Sequence, residues 1–363
     1  MTDTTQRLQD LRARMAAEQV DLVALGPGPH MQWLLGFHPH ADERPCLICI
    51  SQSGAAFLMP TLNAEGSRRH TDLAFHQWSD ATGPTTAFAR LLDDLTVKNA
   101  AKIVLDETMR ADFAALVQDA LPDAERQFTG TTIGWLRMRK DQMEYAALKA
   151  NARTADAAMQ AGWAAMGAGM TELQVAQVIR DKFSDLGATP LFSIVGAGGN
   201  GAFPHHQTGN AILQTGDAVV MDIGGGMDGY SSDMTRMAVI GTPPDGYDEI
   251  HAIVEAAVQA AMAAARPGVK AHEVDDAARG VISDAGYGDY FVHRTGHGMG
   301  VEIHEQPYLT SASQTVLQTG MVFSIEPGIY LPGRFGIRLE DIVILREDGP
   351  EIFSELPRDL RVI

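Results

Sequence analysis

The spacing of hydrophobic positions changes along this chain, and the changes predict its elements. From Arg7 to Gln19 apolar residues fall at helical intervals, so MTDTTQRLQDLRARMAAEQ reads as an amphipathic helix. Short apolar runs follow. DLVALGP predicts a strand, HMQWLLGF a short helix or turn, and PCLICIS and AAFLMP two strands joined by QSG. AKIVLDE predicts another strand, ahead of the helical ADFAALVQDAL. Alternating helices and strands point to an α/β unit. The pattern breaks around FTGTTIGW, and a long helical stretch starts near Met143, which puts a boundary at residues 130–138. A smaller first domain at 1–132 and a second at 138–363 suit a length of 363 residues, more than one core normally serves.

The second part repeats itself. MGAGMTELQVAQVIRDKFSDLG (from Met166) and ARPGVKAHEVDDAARGVISDAG (from Ala265) lie 99 residues apart. Each sets a glycine 18 residues before a closing glycine, Gly169 with Gly187 and Gly268 with Gly286, and each ends Ser-Asp-x-Gly. Thr171 with Gln174 predicts a capping box, and Leu173, Ala176, Ile179, Phe183 and Leu186 a helical stripe. Downstream, LQTGDAVVMDIG from Leu213 matches LQTGMVFSIEPG from Leu317 at an offset of 104. Two matches in the same order predict a duplicated helix–helix–strand–strand unit. Two copies are too few for a solenoid, so they are expected to face each other about a pseudo-twofold axis. The fold class expected for the whole chain is α+β, with this duplicated domain after the smaller α/β one.

Composition narrows the function classes. An apolar fraction of 45% and a charged fraction of 20% exclude a largely disordered chain. Lys and Arg number 28 against 46 Asp and Glu, a formal charge of −18, which repels phosphate backbones and anionic membranes. Neither nucleic acid nor membrane is an expected partner. No apolar run reaches the ~18 residues that span a bilayer, and the first residues lack the apolar core of a secretory signal, so the expected location is cytoplasmic. Cys46 and Cys49 form a C-x-x-C spacing, but on an apolar strand rather than at a helix start, and are expected to be buried, inert thiols. His38 and His40 read as solvated loop histidines.

The repeat carries the chemistry. Each LQTG leads into an apolar strand with a carboxylate six residues past the glycine, Asp222 in one copy and Glu326 in the other. Each copy adds a second carboxylate after a glycine-rich stretch: Asp233 past GGGMDGYSS and Glu340 past PGIYLPGRFG. A carboxylate in such a strand must be paired or bind metal. Arg236 and Arg338 are the only basic residues close by, too few for four acids, and independent salt bridges would not track an internal repeat. With His297 the set becomes five oxygen and nitrogen ligands, and four negative charges match two divalent cations. Histidines agree, since five of the twelve lie at 205–206 and 293–304.

The segments PHHQTGNAILQTGDAVVMDIGG, GYSSDMTR, HRTGHGMGVEIHE, FSIEPGIY and GIRLEDIVIL, in that order, resemble the pita-bread metallopeptidases: methionine aminopeptidase, aminopeptidase P and prolidase. The resemblance covers about residues 140–363, and the preceding creatinase-like α/β domain favours the prolidase and aminopeptidase P branch. It implies metal ligands at Asp222, Asp233, His297, Glu326 and Glu340, with Asp233 and Glu340 shared by two ions of Mn, Co, Fe or Zn. It implies substrate and proton-transfer roles for His205 and His304, and a supporting role for Arg338 beside Glu340. The implied reaction is hydrolysis between an N-terminal residue and proline in a small peptide. Glu326 would act as base, His304 would steady the oxyanion, His205 would meet the proline side, and His293 would shape the surroundings of His297. Dipeptide and longer substrates stay open, as does the part played by His206. Some relatives on this fold are metal-dependent hydrolases or lyases of small metabolites, and others are non-catalytic binding modules that typically lose ligands; none is lost here. A homodimer is expected from the family habit.

Overall fold

The computed structural model describes residues 4–363, and the chain divides between Arg137 and Met138 into two compact units. The first holds strands β1 (Leu22–Leu25), β2 (Leu47–Ile50), β3 (Ala55–Pro60), β4 (Ala74–Trp78), β5 (Lys102–Leu105) and β6 (Glu125–Phe128). Its helices are α1 (Thr4–Ala17), α2 (Pro29–Leu35), α3 (Thr61–Ser67), α4 (Thr85–Asp94), α5 (Ala111–Ala120) and α6 (Ile133–Arg137). The strands form one mixed sheet in the order β4-β3-β2-β1-β5-β6. Leu22, Ala24, Leu58, Phe88, Leu91 and Phe113 pack between that sheet and its helices. The α/β pattern of the sequence holds.

Two strands escaped the hydrophobic reading, AFHQW and ERQF, and they are the two edges of the sheet. An edge strand is solvated along one side and carries polar residues there, so it lacks the apolar run that marks an interior strand. Helix α6 belongs to the first unit because Ile133 is buried and the Arg137 guanidinium donates to His30 Nδ1 at 2.8 Å. Cys46 and Cys49 are buried, and burial pushes both thiols up to about 12, which keeps them protonated and unreactive. His38 and His40 are exposed.

The second unit contains helices α7 (Gln142–Ala165), α8 (Glu172–Asp185), α9 (Tyr247–Ala264) and α10 (Ala271–Asp284). Strands β7 (Thr189–Ala197), β8 (Ala218–Met227), β9 (Tyr230–Ser231) and β10 (Met234–Val239) precede α9. Strands β11 (Gly296–Gly298), β12 (Glu305–Leu309), β13 (Val322–Ile325), β14 (Gly328–Leu331), β15 (Phe335–Arg338), β16 (Asp341–Arg346), β17 (Gly349–Ile352) and β18 (Arg361–Val362) follow α10. One sheet runs β18-β10-β8-β7 and another β12-β11-β13-β16-β17, with β14 and β15 a separate hairpin.

The duplication is visible atom by atom in the backbone. Gly169 N–H donates to Leu213 O and Gly268 N–H to Leu317 O; Glu172 N–H donates to Ala211 O and Ala271 N–H to Thr315 O. The isolated bridges Thr171 with Ile212 and Lys270 with Val316 are likewise a matched pair. Every donor shifts by 99 positions and every acceptor by 104, as the two sequence matches do.

The predicted Thr171–Gln174 capping box forms, but the stripe below it needs correction. Val175, Ala176, Ile179 and Phe183 are buried, whereas Leu173 and Leu186 are 40% and 41% exposed. Leu173 lies in the first turn, where the 209–213 segment crosses at backbone distance, and Leu186 follows the last helical residue, so neither sits over the sheet. The glycines after Asp222 serve packing as well as turning. A Cβ on Gly225 would lie 2.5 Å from the Phe183 ring, while Asp228 and Gly229, at φ 56° and 80°, make the tight hairpin.

Candidate metal centre

Strand alternation decides where Asp222 points. On β8, Val219, Met221 and Ile223 pack into the helix-side core, so Asp222 faces the other way, in register with Ile194 on β7 and Thr235 on β10. Asp233 directly precedes β10, Glu326 directly follows β13, and Glu340 joins β15 to β16. His297 sits mid-β11, next to a register shift. All five line one cavity of about 950 Å³, together with His205, His293, Arg294, His304 and Arg338.

Within the cavity the ligand-type atoms form overlapping nests. Asp222, Asp233 and Glu340 offer oxygens within 4.8 Å of one another, and so do the donor atoms of His297, Glu326 and Glu340. A third group joins Asp233, His297 and His304. Glu340 is common to the first two groups. His297 Nδ1 lies 3.1 Å from Gly298 O and so donates to it, which turns Nε2 towards Glu326 at 3.2 Å and Asp233 at 3.7 Å.

Polar residues orient the acids. Arg338 Nη2 donates to Asp222 Oδ2 at 2.5 Å, and its Nε to Thr235 Oγ1 at 3.0 Å. Thr235 in turn donates to Glu340 Oε2 at 2.7 Å, so Arg338 reaches Glu340 through that hydroxyl. Arg236 turns away, to Asp341 at 2.7 Å. Arg338 Nη1 donates to Tyr330 Oη at 2.8 Å, the phenol to His293 Nε2 at 2.7 Å, and His293 Nδ1 to Arg294 O at 2.7 Å. That chain holds one tautomer of His293, and burial lowers its pKa to about 4.

The residues fit a divalent cation. Asp222 Oδ1 and Glu340 Oε1 are buried with no hydrogen-bond partner among the described residues, which is costly for a carboxylate oxygen unless a cation meets it. Burial and then the neighbouring carboxylates hold Asp233 and Glu340 well above the usual carboxylate range. Burial also raises Asp222, against the pull of Arg338. Glu326 goes the other way: burial pushes it up, but the hydrogen bond and charge of His297 bring it down to about 2. One guanidinium cannot neutralise four acids, and added positive charge can.

The paired histidines part company. His205 lines the cavity, while His206 Nε2 lies 2.8 Å from Glu172 Oε2, outside it. The His304 ring stands edge-on to His297 with centroids 4.1 Å apart, and burial lowers it to about 4. The next residue, Glu305, points away and accepts from buried Lys140 Nζ at 2.7 Å. Thr235, Tyr330, Glu172 and Lys140 were missed in the sequence. For Thr235 a signal existed, since two positions after Asp233 on a strand is the same face.

Residues 146–347 match the model of metallopeptidase family M24, and residues 7–139 that of the creatinase/prolidase N-terminal domain. The chain belongs to family M24. It is 36% identical to a protein described as probable dipeptidase PepE of Mycobacterium tuberculosis, over 94% of this chain and 92% of that one. It is 32% identical to the Xaa-Pro dipeptidase of Lactobacillus delbrueckii subsp. lactis, over 98% of both. The crystal structure of a prolidase from Thermococcus sibiricus superposes with a TM-score of 0.92 at 32% identity, covering 100% of each chain. Membership of M24, a family of metal-dependent peptidases, makes this chain a peptidase of the prolidase branch, with the pita-bread domain expected from its motifs. Among the described residues no helix is long and apolar enough to cross a membrane.

Proposed function

We propose that this M24 protein is an Xaa-Pro dipeptidase that uses two divalent ions held by Asp222, Asp233, His297, Glu326 and Glu340. The observation that carries the reading is the pair of overlapping ligand nests with orphaned buried oxygens. Relatives named Xaa-Pro dipeptidase and prolidase support the substrate class. Mn, Co, Fe or Zn all suit a carboxylate-rich site with one imidazole. Bound ions supply polarisation of water and of the scissile carbonyl at neutral pH. Glu326 takes the proton of the attacking water and returns it to the proline nitrogen. His304, kept neutral by burial, donates to the carbonyl oxygen as charge develops there. His205 meets the proline side, and Arg338 steadies Asp222 directly and Glu340 through Thr235.

A dipeptide preference rests on Arg294. Its guanidinium lines the cavity 4.7 Å over the Tyr308 ring and makes no ion pair among the described residues, so it is available to the carboxylate of a C-terminal proline. The test is the Mn-loaded protein against Ala-Pro, Ala-Pro-Ala-Ala and proline-free peptides. Cleavage of Ala-Pro alone supports the reading, and cleavage of both proline peptides makes it an aminopeptidase. Inertness with metal bound favours a metal hydrolase or lyase of another small metabolite. The family resemblance also supports a homodimer, to be read by sedimentation, and a cytoplasmic location, to be read by cell fractionation.

A further inference from the structure

Glu172 has no part in the chemistry above, yet it is fully buried and its carboxylate accepts four hydrogen bonds from one short segment. Oε1 takes Ala197 N–H and Asn200 Nδ2, both at 2.9 Å; Oε2 takes Gly209 N–H at 3.2 Å and His206 Nε2 at 2.8 Å. These donors flank the stretch that carries His205 at both ends. Glu172 is also the first residue of α8, where the helix N-terminus favours a negative charge. On its other side the segment is clamped by the β14–β15 hairpin. Arg338 Nη1 donates to Pro204 O at 3.4 Å, and a Cβ on Gly336 would meet Gly201 O at 2.0 Å.

We infer that Glu172 is a positioning residue for His205: by gripping His206 and the two ends of the 197–209 segment, it fixes the direction in which the His205 imidazole enters the cavity. His205 stands in a turn closed by His206 N–H to Phe203 O at 3.0 Å, so the chain on its far side is fixed by whatever holds His206. Locking His206 outward therefore aims His205 inward. The inference rests on the reading that His205 acts on substrate, and it adds the device that aims it. A fully buried anion with four donors is rigid, and it ties together the 3₁₀ turn Gly198–Ala202 and the turn that closes at His206.

The test is a double-mutant cycle on the metal-loaded protein with Ala-Pro as substrate. His205→Ala is expected to cut kcat roughly 10²-fold, the scale for a group acting on the transition state. Glu172→Gln keeps the volume but offers an amide N–H₂ where two donors already point, and is expected to cost about tenfold in kcat with bound metal unchanged. In the His205→Ala background the same substitution should cost less than about twofold, because two residues acting as a unit are not additive. An equal loss in both backgrounds overturns the inference, and so does full activity of Glu172→Gln. A His205→Ala protein with wild-type turnover overturns the reading of His205 itself, and the positioning role with it. If Glu172→Gln does not fold, His206→Ala reads the same link while leaving Glu172 three donors. The expectation is then a loss under about tenfold that vanishes without His205; persistence of that loss overturns the inference.

Discussion

The two halves of the second unit share a backbone frame and differ in what they hang on it. Each half folds LQTG against the start of its second helix through equivalent hydrogen bonds, and each delivers two carboxylates to the cavity. The first half uses the shorter acids, Asp222 and Asp233, and the second the longer ones, Glu326 and Glu340. Only the second half supplies an imidazole to the proposed ligand set, His297 on β11; on β7 of the first half, Ile194 lies in register with Asp222. His205 of the first half and His304 of the second both line the cavity, 99 positions apart like the helices, and the second half adds His293. Their anchors are of opposite sign. His206 is held by the acid Glu172, whereas Glu305 is held by the base Lys140. Backbone geometry depends on hydrogen bonds that any residue can make, so it repeats readily. The side-chain supports depend on particular charges and have diverged.

The largest effect expected from breaking this symmetry is at the acids. Asp233→Ala should bring bound metal well below two per chain and abolish turnover, as elemental analysis and an Ala-Pro assay would show, and Glu340→Ala from the other half should match it. In metal-free protein the same Asp233→Ala should raise the melting temperature, because one of several mutually repelling buried carboxylates is gone. Wild-type protein that never binds more than one ion in excess Mn or Co sinks the two-ion reading.

Removing metal should also expose a pH dependence. Asp233 and Glu340 have folded pKa values above their ordinary 3.8 and 4.5, so the stability they permit is present below those values and is lost as pH rises through the raised ones. Calorimetry of chelated protein should show Tm falling, relative to the metal-loaded form, as pH rises above the ordinary carboxylate range. Parallel curves would contradict that assignment of strain to the acids.

The anchors test the difference between the halves. Lys140→Ala leaves the buried Glu305 carboxylate without its ammonium and should destabilise by about 3 kcal/mol in urea unfolding, at the low end for a broken buried pair. A loss under about 1 kcal/mol would mean that Glu305 is solvated. The smallest effect is at the caps. Thr171 both accepts from Gln174 N–H and donates its own N–H back, but an ammonium cannot accept, so Lys270 has only the return bond from its N–H to Glu273. Thr171→Ala should cost about 1 kcal/mol and Lys270→Ala under about 0.5. Equal costs would mean that the two helix starts are held by the crossing segment rather than by their caps.

From the sequence alone the α/β first unit, the duplication and the carboxylate positions could be read, because each leaves a local trace. Periodicity marks elements whose faces differ in burial, and an internal match marks a repeated frame. The edge strands β4 and β6 left no such trace, and the ends of the α8 stripe were misplaced because a crossing segment and a helix end, not the period, set the exposure of Leu173 and Leu186. Residue types and spacing were enough to nominate Asp222, Asp233, His297, Glu326 and Glu340 as a group. Only the tertiary structure decided which side chains answer them: Arg338 on Asp222, Thr235 between Arg338 and Glu340, Tyr330 on His293, Glu172 on His206 and Lys140 on Glu305. Those partners lie 34 to 165 residues apart in all six contacts. A buried charge must find its complement wherever the fold brings one within hydrogen-bond reach, and nothing in the local chain records that distance.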